Sequence, residues 1–525
     1  MKGDFSRVTF DPRNHFSQVL LQQGRVTLDA DPNEQGMILL HYLRTLSRDL
    51  FGRHGGPVDN LGFELTLNVT PSPATLVIGA GRYYVDGILC ESTGCDYIDQ
   101  PHYIPRAADD KNDGDALRTW LSDRSEGEGQ FWLYLDVWER HVTAIQYPSI
   151  REVALGGPDT CSRAQVVWQV RSLERSNLEA ELKRRADAVQ MQMDQTNDAV
   201  ELARLDALRT RIRVGIERLD TNPSDACDVP LLVLDRDDWP ELAARIDPGH
   251  RLDDPCITRP ESGYRGAENH LYRVEIHRGN ANGGRATFKW SRDNGSVVTR
   301  CIGTVGEPLT VASTRDFAAG EWIELCNDED ELLARTGPLF RIASVDGDQL
   351  TLDGAPTMAD EVSNPRIRRW DQIANGDIAL DSGAVLVTES STTDSGWINL
   401  EDGIQIRFAP GRTYRSGDYW LIPARVATGN IEWPLDDNNE AEFQHPRGIT
   451  HHYAPLGFIG SIANGQIQSH SCRCVIYPLS TCGVFGSLLG SPSSDGSPVA
   501  PPGPAPVPTS PPRPKRPSRP RPLNR

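Results

Sequence analysis

No stretch of the chain reaches the ~18 consecutive apolar residues that a membrane-spanning helix needs. The opening MKGDFSRVTFDPRNHFSQVLLQQG also lacks the apolar centre of a secretion signal. The expectation is therefore a protein without a membrane span, made in the cytoplasm without a signal peptide. Cysteine is sparse, ten in 525 residues, and lacks the dense spacing of a disulfide scaffold. Most thiols are accordingly expected to be reduced and buried. Positive charge is in deficit: 54 Lys and Arg against 73 Asp and Glu give a formal charge of −19. The deficit is uneven, because residues 491–525 carry six Arg or Lys and one Asp. So acidic a body repels phosphates, which argues against general nucleic-acid binding. Catalytic signatures are missing too. There is no G-x-S-x-G, no glycine-rich loop followed by Lys-Ser/Thr, and no H-E-x-x-H.

What is abundant is turn chemistry. Forty-six Gly and 38 Pro break the chain into short segments, and alternating or aromatic-rich runs such as FWLYLDVWERHVTAI (131–145), LYRVEI (271–276) and YWLIPARV (419–426) read as strands. The fold class expected is mainly β and multidomain, with antiparallel sheets and small β-barrel-like modules. An N-terminal helix is signalled by Asp31 as N-cap and Pro32 at the first position. Met37, Leu40, Leu43, Leu46 and Leu50 then follow at helical spacing. One face of this helix is expected to pack on a core. Residues 172–219 contain no proline and one glycine, Gly215. Their Val189, Met193, Thr196, Val200, Ala203, Ala207 and Leu205, Leu208, Ile212, Ile216, Leu219 series predict a coiled coil or a helical hairpin bent near Thr196-Asn197.

The organisation read from these signals is an α+β assembly segment over 1–100 and a β domain built from 101–171 and 223–302. The helical insertion covers 172–222, a small barrel-like module 303–360, and a C-terminal β domain 361–482. A Pro/Arg-rich tail over 483–525 is expected to be disordered.

Candidate sites are few. His470, Cys472, Cys474 and Cys482 are zinc-type ligands, but Cys-x-Cys is not the paired Cys-x-x-Cys spacing of a zinc site, so strand-end structural roles are the plainer reading. Acidic runs at Asp29/Asp31/Glu34, Asn327–Glu331 and Asp436–Glu442 lack the ligand spacing of a calcium loop and read as caps or solvated loops. No cofactor is expected. Asp136 and Glu139 differ by an odd number along a strand and so do not converge as a glycosidase pair. Trp397, Tyr419, Trp420 and Trp433 could form a carbohydrate-binding surface, although aromatics at strand spacing are more often core.

The opening block KGDFSRVTFDPRNHFSQVLLQQGRVTLDADPNEQ (2–35) resembles the signature of an uncharacterised bacterial family encoded among phage-tail and contractile-injection-system genes. The blocks YYVDGILCE (83–91), LYLDVWERHVTAI (133–145), GYRGAENHLYRVEIH (263–277), ATFKWSRDNGSVV (286–298) and GDYWLIPARVATGNIEWP (417–434) resemble the same family. Pro32 departs from its pattern, which has Trp there. The resemblance implies a structural, non-enzymatic component of a phage-tail-like particle, of baseplate, fibre or accessory type. Its partners would be other tail-particle proteins and further copies of itself. The alternative is a carbohydrate- or cell-surface-binding module, and a glycan-degrading enzyme would require converging carboxylates.

Overall fold

Strands interleave across the whole length of the chain, so that neighbours in space are often hundreds of residues apart in sequence. The computed structural model describes residues 1–478 except 70–72, 105–115, 123–128, 158, 223–225, 237, 249–262, 281–282, 359–361, 375–377, 391–394 and 462–466. The Pro/Arg-rich tail, Cys256 and Cys482 lie outside the described residues. Met1–Ile476 form one unit and Tyr477–Arg525 another. The architecture is mainly β, with several almost wholly antiparallel sheets and few helices.

Gln130–Val142 is the longest strand. Phe131–Val142 pairs with Arg163–Glu174 on one side, and Gln130–Val137 pairs with His452–Ser461 on the other. Its Phe131, Leu133, Leu135 and Val137 share one face, as the period of two requires. They pack with Trp168 of the paired strand, Tyr83 of Gly81–Val85 and Phe63 into one core. Trp132, on the opposite face, joins Phe458 and the helical insertion. The strand is thus buried on both sides, which accounts for its nearly continuous apolar sequence.

The insertion is a hairpin: Arg175–Gln195 and Ala199–Thr221 are separate helices, with Asp198 capping the second by accepting from Val200 N at 2.9 Å. Leu178, Leu182, Val189, Leu205, Ile212 and Leu219 are buried between the helices and the sheet. Val200, read from the spacing as a seam position, is instead exposed at the open end.

Besides a further four-stranded sheet and two three-stranded ones, the described body contains two six-stranded sheets. One contains His270–Arg278, Thr287–Ser291 and Tyr419–Arg425; the other contains Trp322–Cys326, Leu339–Asp346, Gln349–Leu352 and Arg366–Trp370. Between them lies a buried ionic cluster. Glu275 and Lys289 face each other in register, and Lys289 Nζ bonds Glu324 Oε1 at 2.6 Å and lies 3.4 Å from Glu275. Arg273 donates to Glu275 at 2.6 Å, and Trp370 Nε1 donates to Glu324 at 2.9 Å.

Burial works to raise the Glu324 carboxyl, but Lys289 and Lys2 outweigh it and hold it at about 2. Burial is likewise overcome at Glu275, where Lys2, Arg273 and Lys289 keep the carboxyl well below the ordinary value. Both folded-state values lie below the unfolded one, so the linked stability is fully present above the unfolded carboxylate pKa of about 4.3. It is lost as pH falls toward the folded values. The unfolding free energy is expected to decline from about pH 4.3 down to about 2, as read by denaturant titration at stepped pH. A flat profile across that window would overturn the assignment.

The cysteines correct one expectation. Cys227 and Cys472 form a disulfide with Cα atoms 5.7 Å apart and 245 residues between them. It ties the connection after the hairpin to the strand end at Ser471. Cys90, Cys301 and Cys326 are free and buried, as expected, whereas Cys161 and Cys474 are exposed. A pair so distant in sequence leaves no spacing signal.

Candidate assembly surface

The N-terminal 29 residues form an arm with only a short 3-10 turn at Pro12–Asn14 before helix α1, Ala30–Phe51. The arm is fixed by its polar groups. Lys2 pairs with Glu275 at 3.1 Å, reaching into the ionic cluster, and Asn294 donates to Gly3 O at 2.8 Å from a left-handed Asn-Gly turn. Ser6 O accepts from Arg425 at 2.9 Å, and Arg7 pairs with Glu432 at 3.3 Å. The arm is also bonded to its own helix. Asp29 accepts from Ser6 N at 2.9 Å, Gln35 accepts from Val19 N at 2.8 Å, and Thr9 bonds Glu34.

The start of α1 differs from expectation. The helix begins at Ala30, and Asp29 stands at the cap with its carboxylate turned to Ser6. Asp31 lies inside the first turn, its carboxylate accepting from Leu28 N at 3.0 Å. The arm has captured both acids that would otherwise compete to cap the helix.

The larger correction concerns which way α1 faces. Ala30 and Ile38 are its buried residues, Glu34 and Thr45 are half-buried, and Arg44 pairs with Glu139 at 2.9 Å. These positions lie on one side of the helix. The other side carries Leu39, Leu43, Leu46 and Leu50, which are 53%, 61%, 56% and 56% exposed, with Tyr42 beside them. Their 4-3-4 spacing places them in one narrow stripe. Of the residues whose spacing predicted a core-packing face, Leu40, Leu43, Leu46 and Leu50 are 45–61% exposed and Met37 is 37% exposed, so that face does not pack on this chain's core, and Leu39 joins it in place of Met37. On the arm, Phe16, Leu20, Leu21, Val26 and Leu28 are also exposed.

Helix α1 is held in place by a tight contact. Asp86 and Gly87 form the left-handed turn joining Gly81–Val85 to Ile88–Ser92, at φ +47° and +79°. A side chain at Gly87 would come within 2.6 Å of the Arg44 backbone. Gly87→Ala is expected to lower the unfolding free energy by about 2 kcal/mol. It should also raise amide exchange across residues 30–51, measured by denaturation and hydrogen exchange.

Trp420 is a core residue whose Nε1 donates to Gln444 O at 2.7 Å, and Tyr419 is buried under the Arg273 guanidinium, 3.5 Å from its ring centre. Trp397 and Trp433 line a cleft of about 380 Å³. Arg245 and Arg407 lie over Trp397 at 3.9 and 4.8 Å, and Trp433 Nε1 donates to Glu442 O at 2.9 Å. Burial thus removes Trp420 and Tyr419 from any sugar-stacking surface, and cations already cover Trp397.

Of the zinc-type residues, Cys472 is consumed by its disulfide, while His470 sits on Ile467–Ser471 and Cys474 precedes the strand Val475–Ile476. No group of three or more metal-ligating side chains occurs among the described residues. Of the acidic runs, Asn327 and Asp330 form a capping box, and Asp436 accepts from Asn438 N and Glu440 N in a turn. Asp136 is buried against His451 at 2.7 Å and Arg171 at 3.3 Å, away from Glu139 and its Arg44. Among the described residues, no helix is long and apolar enough to cross a membrane.

A protein-family model described as a family of unknown function (DUF6519) matches residues 1–514, and the chain belongs to that family. No curated protein matches it. A solved structure titled "Crystal structure of TssK" aligns at 9% identity and a TM-score of 0.16, covering 68% of this chain and 97% of that one. A likeness of that size does not define a common fold. The family match includes the arm, α1 and every sheet described above.

Proposed function

We propose that this chain is a structural, non-enzymatic component of a phage-tail-like contractile particle. In this reading it docks through its N-terminal arm and α1 onto an amphipathic helix of a neighbouring particle subunit. The observation that carries it is that polar bonds from Lys2, Gly3 and Ser6 hold the arm to the body while Leu20, Leu21, Val26, Leu39, Leu43, Leu46 and Leu50 face away from this chain. Monomeric proteins rarely expose an apolar patch beyond roughly 300–600 Å², whereas a standard interface takes roughly 800 Å² per partner. The arm and helix together expose those seven side chains, each at 53% or more.

Spacing and charge support a helical occupant. A 4-3-4 leucine stripe is complementary to a second helix with the same repeat. Although the chain carries a net −19, the segment from Phe16 to Phe51 is nearly balanced, with Arg25, Arg44 and Arg48 against Asp29, Asp31, Glu34 and Asp49. A neighbour approaching there meets little like-charge repulsion. The family resemblance of the opening block supplies the particle context, and baseplate, fibre and accessory positions all fit it.

The test is to sediment lysate of the native producer and identify by mass spectrometry whether this chain travels with sheath and tube proteins. Recovery only as free protein would overturn the particle assignment.

A further inference from the structure

The exposed stripe on α1 has the same spacing read in either direction. Leu39, Leu43, Leu46 and Leu50 are separated by four, three and four residues, symmetric about the midpoint between Arg44 and Thr45. A helix with such a stripe is complementary to itself turned end for end. About a two-fold axis at that midpoint, Leu39 meets Leu50 of a second copy and Leu43 meets its Leu46, so all four are covered without an offset. A partner of another kind requires no such symmetry.

The flanks agree with that register. In heptad terms Leu43 and Leu50 take position a, and Leu39 and Leu46 take position d. Leu40 and Ser47 then line one flank, and Tyr42 and Asp49 the other. Antiparallel pairing sets like flanks side by side, with Leu40 beside Ser47 of the other copy and Tyr42 beside its Asp49. Tyr42 and Asp49 are both exposed, and neither the hydroxyl nor the carboxylate has a partner among the described residues. A phenol donating to a carboxylate is a charge-assisted bond. The two Asp49 carboxylates would stand ~14 Å apart along the axis, beyond the screening length of ~8 Å at physiological salt. Cations stay off the seam: Arg44 is held by Glu139 at 2.9 Å, and Arg48 falls at position f. The residues on which α1 rests in its own chain, Ala30, Glu34, Ile38 and Thr45, fall at b, c and f, clear of the a and d positions. Antiparallel helix dipoles add to the attraction.

We propose that the helix covering the stripe is α1 of a second copy of this chain, packed antiparallel about a two-fold axis between Arg44 and Thr45. This rests on the reading of α1 as a docking surface and names the neighbouring subunit as another copy.

The experiment uses the purified full-length chain. Sedimentation equilibrium is expected to give the mass of a dimer. The register is then read by cysteine cross-linking under mild oxidation with diamide. A Leu39→Cys/Leu50→Cys double variant is expected to form a covalent dimer through disulfides between positions 39 and 50, identified by peptide mass spectrometry. Its yield should exceed that of either single variant at least about tenfold, because equivalent positions lie ~16 Å apart along the axis, outside the ~7 Å that a disulfide spans. Wild type, with its exposed Cys161 and Cys474, is the control. A wild-type chain that stays monomeric at every concentration would overturn the proposal. So would disulfides joining 39 to 39 and 50 to 50 in the single variants, the outcome of parallel pairing. Neither result bears on the particle assignment, which co-sedimentation with sheath and tube proteins measures separately.

Discussion

Lys289→Ala is expected to lower the unfolding free energy by about 3–5 kcal/mol, the largest single-residue effect in the body. Lys289 has no solvent exposure and lies between two carboxylates that are themselves buried. Removing it leaves Glu275 with Arg273 and Lys2, but strips Glu324 of its only ion pair among the described residues, leaving the Trp370 indole and Gly337 N as donors. Lys289 and both carboxylates are almost wholly buried, so the penalty is that of a buried charge deprived of its counter-ion. The gap between wild type and variant should narrow as pH falls, because a protonated Glu324 no longer needs a counter-charge. Parallel guanidinium denaturations at neutral and acid pH measure both points. A loss below about 1 kcal/mol would place Lys289 in an ordinary solvated pair.

The second large effect acts on association and leaves stability nearly unchanged. Leu43→Glu combined with Leu46→Glu is expected to abolish co-sedimentation with the particle, a loss of at least about a hundredfold in affinity. The change in unfolding free energy should stay within about 0.5 kcal/mol. The asymmetry follows from where the leucines point: in this chain they face outward, so a charge there costs little until a partner tries to cover it. If the variant unfolds, the stripe belongs to this chain's own core. If it stays folded and still co-sediments, docking uses another surface. Mass measurement of the purified wild type separates two kinds of neighbour. Self-association lost in the variant identifies a second copy, and a monomer that still co-sediments identifies a different subunit.

Strand content was legible in the sequence because the signals were strong and local. Phe131 to Ile145 is dense in aromatic and β-branched residues, and Asp86-Gly87, Asn294-Gly295 and Asp346-Gly347 carry the left-handed residues that tight turns require. The helical hairpin was legible as one of two alternatives, since Thr196-Asn197 interrupts a propensity that is otherwise continuous. The amphipathic character of α1 was legible too. Its orientation was not, because periodicity reports that an apolar face exists and says nothing of whose core it enters.

The same limit explains the ionic cluster. Arg273 and Glu275 in one strand and Lys289 in the next are charges set inside apolar runs, a local signal that something pairs with them. The partners Glu324 and Lys2 come from distant segments that only the fold brings together. Cys227 and Cys472, and the His451–Asp136 pair, are of the same kind: contacts across hundreds of residues that no window of sequence contains.

The interleaving of strands also sets an order of events during synthesis. His54–Pro57 pairs with Val475–Ile476 in parallel, and Asp86, in the turn that supports α1, bonds His452. These partners leave the ribosome long after the segments they complete, so the N-terminal sheet cannot close while the chain is still being translated. The leucine stripe is therefore mounted on a finished platform only once some 470 residues have been made, and a truncated or stalled chain would carry the stripe without the rigid base needed to present it. Incomplete subunits would in this way be kept out of a growing assembly by the topology of the fold itself.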